Sequence, residues 1–190
     1  MRAICIIGSP NENGSTASIC IKVIRGLDCE NIEVDKYILD KMDIGFCKGC
    51  NSCEISGRCV QRDDMDILIK AITEADIVIL ASPSYWGDVT GQMKVFIDRS
   101  LPLCNAKTGE TPVPDGKMGI GIAIRAGNSK NENQHIIDTF SHYFGHLGIT
   151  MAGEFMAEGI NNLSDLKEKQ DKLSQAYDLG KMISFHNKDI

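Results

Sequence analysis

The sequence predicts an α/β fold in which a doubly wound, five-stranded parallel sheet carries helices on both faces. Two observations lead to this class: short β-branched runs alternate with longer segments of helical period, and each run is apolar. A parallel sheet of such strands is typically buried under helices on both sides. With 190 residues, the chain has the length of one domain, and we expect residues 1–190 to form a single one.

Five strands and five helices account for the pattern. The predicted strands are Arg2 to Ile7, Ile32 to Leu39, Ile77 to Ala81, Met118 to Ile124 and Ile149 to Phe155. The predicted helices are Ser15 to Leu27, Asp63 to Ala75, Thr90 to Ser100, Asn133 to Leu147 and Ser164 to Phe185. Asp63 and Ser164 each precede an acidic first turn, which suits the positive end of a helix dipole.

The composition argues against two classes of partner. The formal net charge is −6, and no run of Lys and Arg offers the positive stripe that nucleic-acid binding requires. The longest apolar runs, such as Ile77 to Ala81, are far shorter than the roughly 20 residues of a membrane helix. The N-terminus also lacks the pattern of a secretory signal. We therefore expect a cytoplasmic protein that binds neither nucleic acid nor membrane.

Eight cysteines occur in the chain, and four of them fall between positions 47 and 59. A chain of this length needs no disulfide to hold its core, and clustered cysteines in a reducing compartment are more often metal ligands or redox groups. The four clustered cysteines lie in an unusually long connection, residues 40–62. A second long connection, residues 102–117, is expected to be a loop on the surface. Long loops in compact domains are usually functional or mobile.

The loop after the first strand reads G-S-P-N-E-N-G-S-T over residues 8–16 and leads directly into a helix. Free backbone amides and the helix dipole make an anion site there, and the hydroxyls of Ser9, Ser15 and Thr16 add donors. The loop matches neither the Walker A motif nor the G-x-G-x-x-G fingerprint. Taken alone, it is equally compatible with an ordinary polar turn capped by a serine.

A second polar loop follows the third strand and begins S-P-S-Y-W-G at residue 82. In the strand order 2-1-3-4-5 that we predict, strands one and three are neighbours at the switch point where ligands bind. Tyr85 and Trp86 can lie against a flat ring there, although an isolated aromatic pair can also roof the core. A third loop, residues 125–128, follows strand four and approaches the same crevice.

The first two loops resemble those of the flavodoxin-like NAD(P)H-dependent FMN reductases; they read G-S-P-N-x-N-G-S-T and S-P-S-Y-W-G-D-V-T-G-Q-M-K-V-F-I-D-R. The resemblance extends over almost the whole chain. The resemblance implies a flavodoxin-like domain whose first loop holds the FMN phosphate and whose second and third loops hold the isoalloxazine ring. The implied phosphate and ribityl contacts are Ser9, Asn11, Asn13, Ser15 and Thr16. The implied ring contacts are Pro83, Ser84, Tyr85, Trp86, Gly87, Gly127 and Asn128.

One position departs from that family, which commonly has Arg where this chain has Asn11. Backbone amides and hydroxyls would then compensate the phosphate charge. We expect no catalytic side-chain acid or base, because the cofactors carry the chemistry and the protein supplies orientation and hydrogen bonds.

The clustered cysteines form a C-x2-C-x2-C-x5-C array made of Cys47, Cys50, Cys53 and Cys59. Four thiolates at this spacing can close around one cubane iron–sulfur cluster, with small neighbours that let the backbone curl and with Lys48 and Arg58 to offset its charge. The same thiolates can also bind a structural Zn²⁺, or remain free in a plain flavin reductase.

The array resembles that of the iron–sulfur flavoproteins, a branch of the FMN reductases with a [4Fe-4S] cluster in this connection. The resemblance implies a homodimeric or tetrameric enzyme that moves electrons from reduced ferredoxin or NAD(P)H to an acceptor. The alternatives are a cluster-free NAD(P)H-dependent FMN or quinone reductase and a non-catalytic electron carrier or redox sensor. The remaining cysteines, Cys5, Cys20, Cys29 and Cys104, are expected to be small buried hydrophobes.

Overall fold

Five parallel strands form one sheet in the order β2-β1-β3-β4-β5 in a computed structural model of the chain, which describes residues 1–28, 32–105 and 107–186. The predicted architecture and strand order are therefore confirmed. The strands are β1 (Arg2–Ile7), β2 (Glu33–Ile38), β3 (Ile77–Pro83), β4 (Met118–Ile124) and β5 (Thr150–Ala157). Every strand begins and ends within about two residues of its predicted bounds.

Helices cover both faces of the sheet. They are α1 (Ser15–Asp28), α2 (Ser52–Ser56), α3 (Met65–Glu74), α4 (Gly91–Arg99), α5 (Lys130–His146), α6 (Leu163–Glu168) and α7 (Gln170–His186). The helices α1 and α7 pack on one face, and α3, α4 and α5 pack on the other. The short helix α2, which was not predicted, lies in the cysteine-rich connection. None of the described helices is both long enough and apolar enough to span a bilayer.

The strands β1, β3 and β4 are apolar because both of their faces are buried, whereas the edge strand β2 (EVDKYI) is largely polar and has no fully buried residue, contrary to the prediction that every strand is apolar. In β1, Ala3, Cys5 and Ile7 belong to the core under α1 and α7, whereas Ile4 and Ile6 belong to the core on the opposite face. Successive side chains of a strand point to opposite sides, so a strand between two helical layers needs apolar residues at every position.

The prediction of one terminal helix from Ser164 to Phe185 was wrong, because the structure divides it into α6 and α7. Lys169 lies between them with φ −103° and ψ 60°, outside the helical region. Its ammonium group donates a hydrogen bond to the carbonyl oxygen of Glu158 at 2.7 Å. This tertiary contact is invisible to a periodicity argument, and it accompanies the break.

The capping signals were partly misplaced. Asn162, not Ser164, caps α6: its Oδ1 accepts the backbone N–H of Ser164 at 2.7 Å and that of Asp165 at 3.2 Å, in a capping box. Asp63 does serve the start of its helix, since its Oδ1 accepts the backbone N–H of Met65 at 3.1 Å.

The cysteines outside the array differ in their surroundings. Cys5 and Cys20 are fully buried in one core, and a mutual hydrogen bond together with burial raises the pKa of Cys20. Cys104 is half-buried, and so it departs from the expected core role. Cys29 lies outside the described residues.

The helices α1 and α7 approach each other closely at glycines, which gives a stability prediction. A Cβ added to Gly180 would lie 2.1 Å from the carbonyl oxygen of Val23. We expect Gly180→Ala to lower the free energy of unfolding by about 1–3 kcal/mol in urea denaturation, because the helices must move apart.

The matched control is Gly145→Ala in α5, where no described atom lies within 4 Å of the added Cβ. This change should raise the stability by about 0.5–1 kcal/mol, since alanine is the better helix former. Equal effects of the two substitutions would contradict the close approach of α1 and α7.

Candidate functional site

The carboxyl ends of β1, β3 and β4 border one cleft of about 230 Å³. Its walls come from four loops at the same edge of the sheet, and the lining residues are Ser9, Asn11, Gly14, Ser15, Thr16, Pro83, Ser84, Tyr85, Ile124, Arg125, Ala126, Ile160 and Asn161. Because β1 and β3 are neighbours whose connections leave in opposite directions, the loops that follow them leave a crevice open between them.

Gly8 brings the first loop close to the end of β3. Its N–H donates to the carbonyl oxygen of Ala81 at 2.8 Å, and its own carbonyl oxygen accepts the hydroxyl of Thr90 at 2.8 Å. A Cβ at this position would lie 2.7 Å from the Thr90 hydroxyl oxygen. Only glycine therefore fits at the point where the first and second loops meet.

The turn between Gly8 and α1 is held by Asn11. Its Oδ1 accepts the N–H of Asn13 at 3.1 Å, and its carbonyl oxygen accepts the N–H of Gly14 at 3.1 Å. The hydroxyl of Ser9 in turn accepts the N–H of Asn11 at 3.3 Å. These local bonds set the loop before the helix begins.

Unused donors collect at the start of α1. The hydroxyl oxygen of Ser15 is buried, and it has no hydrogen-bond partner among the residues that the structure describes. The first N–H groups of a helix also lack partners within the helix. Leaving a buried polar group unpaired costs about 1–3 kcal/mol. The arrangement is thus suited to an anion whose oxygens accept several hydrogen bonds at once.

The second loop ends in a tight turn at residues 85–88. Tyr85 and Asp88 exchange backbone hydrogen bonds of 3.0 and 3.2 Å. The two residues between them both have positive φ, 57° at Trp86 and 82° at Gly87, as a type I′ turn requires. This conformation costs a residue other than glycine roughly 1–2 kcal/mol. The backbone at Trp86, whose indole is fully exposed, is therefore strained.

The structure brings together only some of the residues that the resemblance assigned to FMN. Seven line the cleft: Ser9, Asn11, Ser15, Thr16, Pro83, Ser84 and Tyr85. The remaining ones, Asn13, Trp86, Gly87, Gly127 and Asn128, do not belong to its described lining. Trp86 and Gly87 form the tip of the turn, and the carbonyl oxygen of Gly127 accepts the N–H of Gly159 at 2.9 Å.

Arg125 adds a cation that was not assigned to the site. Its guanidinium donates to the carbonyl oxygen of Ser129 at 2.8 Å and pairs with Glu132 at 3.0 Å. Its Nε is buried and finds no hydrogen-bond partner within the described part of the chain. Glu132 also accepts the hydroxyl of Ser84 at 3.1 Å, so it joins the second and third loops.

Asn161 was missed as a cleft residue in the same way. It follows the carboxyl end of β5, as Arg125 follows that of β4, and positions just past parallel strands are the signal that could have identified both.

The four thiols of the array, Cys47, Cys50, Cys53 and Cys59, line one small pocket. Cys47 and Cys50 are exposed, while Cys53 and Cys59 are half-buried. Burial raises the pKa of Cys53, and repulsion from the other thiols of the array raises it further. Hydrogen bonds from Ser52 lower the pKa of Cys50. The thiols are therefore close enough to interact electrostatically.

The backbone around these thiols curls through left-handed residues. Gly49, Asn51 and Gly57 have φ of 61°, 55° and 67°, and the last two flank α2. Glycine and asparagine adopt this conformation more readily than other residues. The backbone therefore changes direction at three small residues of the array.

A buried ion pair between Arg99 and Asp63 borders the pocket of the thiols. Both terminal nitrogens of Arg99 donate to Asp63, at 2.7 and 2.9 Å, and one of them also donates to the carbonyl oxygen of Gly45 at 2.7 Å. The side chain of Arg99 is 1% exposed and lines the pocket of the thiols. The hydrogen bond from Arg99 lowers the pKa of Asp63. The pair joins both ends of the cysteine-rich connection to α4.

The donor set of the pocket, four thiols, matches the all-thiolate ligand set of a [4Fe-4S] cluster. No group of three or more His, Cys, Asp or Glu side chains in the described ranges is arranged to hold one metal ion. A cubane cluster binds each of its four thiolates to a different iron, so its ligands lie farther apart than those of one ion. The Nε–H of Arg99 is buried and unpaired in the described structure, so it can donate a hydrogen bond to a thiolate or a sulfide.

A doubly wound sheet in this order, with a polar cleft at its switch point, defines the class of flavodoxin-like folds. The sequence model of the NADPH-dependent FMN reductase family matches residues 1–161. The chain belongs to that family, in its iron–sulfur flavoprotein branch, and is an FMN-dependent oxidoreductase.

Similar proteins support this placement. An iron–sulfur flavoprotein of Archaeoglobus fulgidus is 42% identical over 132 residues, which are 70% of this chain but only 58% of that protein. An iron–sulfur flavoprotein of Methanocaldococcus jannaschii is 30% identical over 192 residues, covering 97% of this chain and 96% of the relative. The structure of an FMN-dependent NADH-azoreductase from Bacillus anthracis shares the fold, with a TM-score of 0.74, 12% identity and coverage of 97% and 100%.

Proposed function

We propose that the protein transfers electrons from NAD(P)H or reduced ferredoxin to an acceptor, using FMN in the cleft and a [4Fe-4S] cluster on Cys47, Cys50, Cys53 and Cys59. The observation that carries this proposal is that four thiols line one pocket beside a buried arginine, on a chain that also has a polar cleft at its switch point. When bound, FMN supplies two-electron or one-electron chemistry, and a cluster supplies one-electron transfer.

The first loop is suited to the phosphate of FMN. The unpaired hydroxyl of Ser15 and the free amides at the start of α1 supply donors, and the hydroxyls of Ser9 and Thr16 lie in the same wall. Asn11 sets the turn through its side-chain oxygen. None of the described residues that line this wall is a cation, so hydrogen bonds and the helix dipole would hold the phosphate.

The opposite wall is suited to the ring. Pro83, Ser84 and Tyr85 line it, and the half-exposed ring of Tyr85 offers a flat surface. Arg125 lines the cleft between the loops, with one buried N–H unused in the described structure. A guanidinium in this place stabilises negative charge on FMN.

The role of Arg125 gives a binding prediction. We expect Arg125→Gln to weaken FMN binding about tenfold or more, because a hydrogen bond to a charged group contributes about 1.5–3 kcal/mol. The measurement is equilibrium dialysis of FMN against the protein stripped of flavin. Arg58→Gln, an exposed arginine outside the cleft, is the matched control and should bind FMN like the wild type. Unchanged affinity of Arg125→Gln would show that the guanidinium serves only Glu132.

Both the ligands and the positive charges of the thiol pocket suit an iron–sulfur cluster. Its four cysteines supply the all-thiolate ligand set of a [4Fe-4S] site. Arg99, together with Lys48 on the same rim, offsets the negative charge of such a group. The exposed Cys50, whose pKa is lowered, also favours an alternative in which the thiols stay free in a reductase or a redox sensor.

The composition of the anaerobically purified protein distinguishes these functions. We expect one FMN, about four irons and about four labile sulfides per chain, together with a broad visible absorption beneath the flavin bands. Flavin without iron would leave the cluster-free reductase, and zinc in place of iron would make the array structural. Absence of flavin would contradict the assignment of the cleft.

The donor and the assembly are separate parts of the proposal. Rates of oxidation of NADH, NADPH and reduced ferredoxin would identify the donor, and zero turnover with all three would favour the sensor.

The homodimer or tetramer implied by the resemblance is supported by exposed apolar side chains next to the thiols, of which Phe46 is 80%, Ile55 91% and Val60 56% exposed. Sedimentation equilibrium would contradict it if the chain were monomeric at micromolar concentration.

A further inference from the structure

Arg99 has one donor that the fold does not use. Its terminal nitrogens are engaged by Asp63 and by the carbonyl oxygen of Gly45. Its Nε is buried and makes no hydrogen bond to any residue that the structure describes. The same side chain lines the pocket of the thiols, together with Cys59. Buried N–H groups normally have a hydrogen-bond acceptor. For an unpaired N–H in a pocket lined by thiols, the acceptor to expect is a thiolate sulfur.

The electrostatics of the pocket agree with this geometry. Asp63 is the main group that raises the pKa of Arg99, and charge attraction to Cys59 adds to the effect. Of the four thiols that share the pocket with Arg99, Cys59 is the one whose charge raises the pKa of Arg99.

We infer that Arg99 is a positioning residue that donates its Nε–H to the sulfur of Cys59 and thereby raises the reduction potential of the cluster. The inference rests on the proposed function, since it requires the cluster on this array. Hydrogen bonds to the sulfurs stabilise the reduced cluster, which carries one more negative charge than the oxidised one. Losing such a bond makes the cluster harder to reduce.

Arg99 is suited to this role because its guanidinium is fixed in orientation and buried away from water. Asp63 accepts both of its terminal nitrogens, and this bidentate pairing fixes the plane of the guanidinium. The side chain is 1% exposed, so water and salt screen its charge little. Lys48 and Arg58 are exposed, and their charges are screened. The orientation therefore comes from Asp63, while the effect on the cluster comes from Arg99.

The wild-type protein allows a test without any substitution. Pulsed electron paramagnetic resonance of the reduced cluster, in protein whose arginines carry nitrogen-15, detects nitrogen atoms hydrogen-bonded to the cluster sulfurs. We expect a nitrogen-15 coupling that persists in Arg58→Lys and disappears in Arg99→Lys. A fully loaded wild-type cluster without any arginine coupling would overturn the inference and leave the proposed function intact.

A redox titration measures the consequence. At the wild-type midpoint potential, we expect the ratio of reduced to oxidised cluster in Arg99→Lys to fall about tenfold, which corresponds to about 59 mV for one electron. Arg2→Lys changes an exposed arginine outside the lining of the thiol pocket; it is the matched control and should titrate like the wild type. Iron and sulfide counts accompany both measurements. An Arg99→Lys protein with a full cluster and an unchanged potential would show that Arg99 is only structural.

The two failures are distinguishable. If the wild-type protein contains FMN but takes up no iron and sulfide after anaerobic reconstitution, the cluster assignment fails and the role of Arg99 fails with it. If Arg99→Lys does not fold, the nitrogen-15 coupling in the wild type still decides the question.

Discussion

Replacing Asp63 with asparagine is expected to lower the free energy of unfolding by about 3–5 kcal/mol. The change leaves the guanidinium of Arg99 buried without its counterion, and removing one partner of a buried ion pair has a cost of this size. Asp63 also accepts the N–H of Gly45 at 3.2 Å and that of Met65 at 3.1 Å. The substitution therefore weakens both the cysteine-rich connection and the start of α3.

Urea denaturation of three variants tests this expectation. Asp66→Asn is the matched control, because Asp66 forms an exposed pair with Arg62 at 3.6 Å and should change the stability by less than about 1 kcal/mol. Combining Asp63→Asn with Arg99→Met removes the unpaired charge, so the double variant should be more stable than Asp63→Asn alone. If the double variant is the less stable of the two, the cost arises elsewhere than in the buried charge.

The same pair predicts a pH dependence. The pKa of Asp63 is lowered in the folded protein by its hydrogen bond from Arg99. The stabilisation is thus complete above the unfolded pKa of about 3.9 and is lost as the pH falls through the lower, folded value. The stability difference between wild type and Asp63→Asn should be constant near neutral pH and should shrink below about pH 4. A difference that grows on acidification would contradict the lowered pKa.

Cys50→Ser is expected to abolish the cluster and to leave FMN bound. Cys50 is exposed, so the substitution opens no cavity in either core. A serine oxygen replaces a soft thiolate, which iron–sulfur clusters require as ligand. The cleft is lined by other loops, which the change does not touch. Visible spectra and iron counts should show the loss of most of the iron, with the flavin bands retained.

A second serine variant gives the control for this experiment. Cys104 is a half-buried thiol outside the array, and Cys104→Ser should keep both FMN and iron. Full iron content in Cys50→Ser would remove Cys50 from the ligand set. Joint loss of iron and FMN from Cys50→Ser would instead mean that the loop is required for the structure of the cleft.

The sequence was most informative where consecutive residues carry the signal. The apolar runs of β1 and β3 and the polar loop that begins at Gly8 are local patterns, and the structure places them as predicted. Family membership was also within reach, because the two loops and the cysteine array are contiguous motifs. The terminal helix failed as a prediction because the contact of Lys169 with Glu158 spans two elements.

The tertiary structure decided which charges meet. Asp63 and Arg99 are 36 positions apart, and Arg125 and Glu132 come from a strand end and a helix. Neither pairing is visible in periodicity, because each depends on how the elements cross and which loop ends meet at the edge of the sheet. The types of element and the chemistry of the two loops thus follow from the sequence by itself. The buried arginine beside Cys59 and the cation in the cleft are set only by the packing, because burial is a property of the assembled fold.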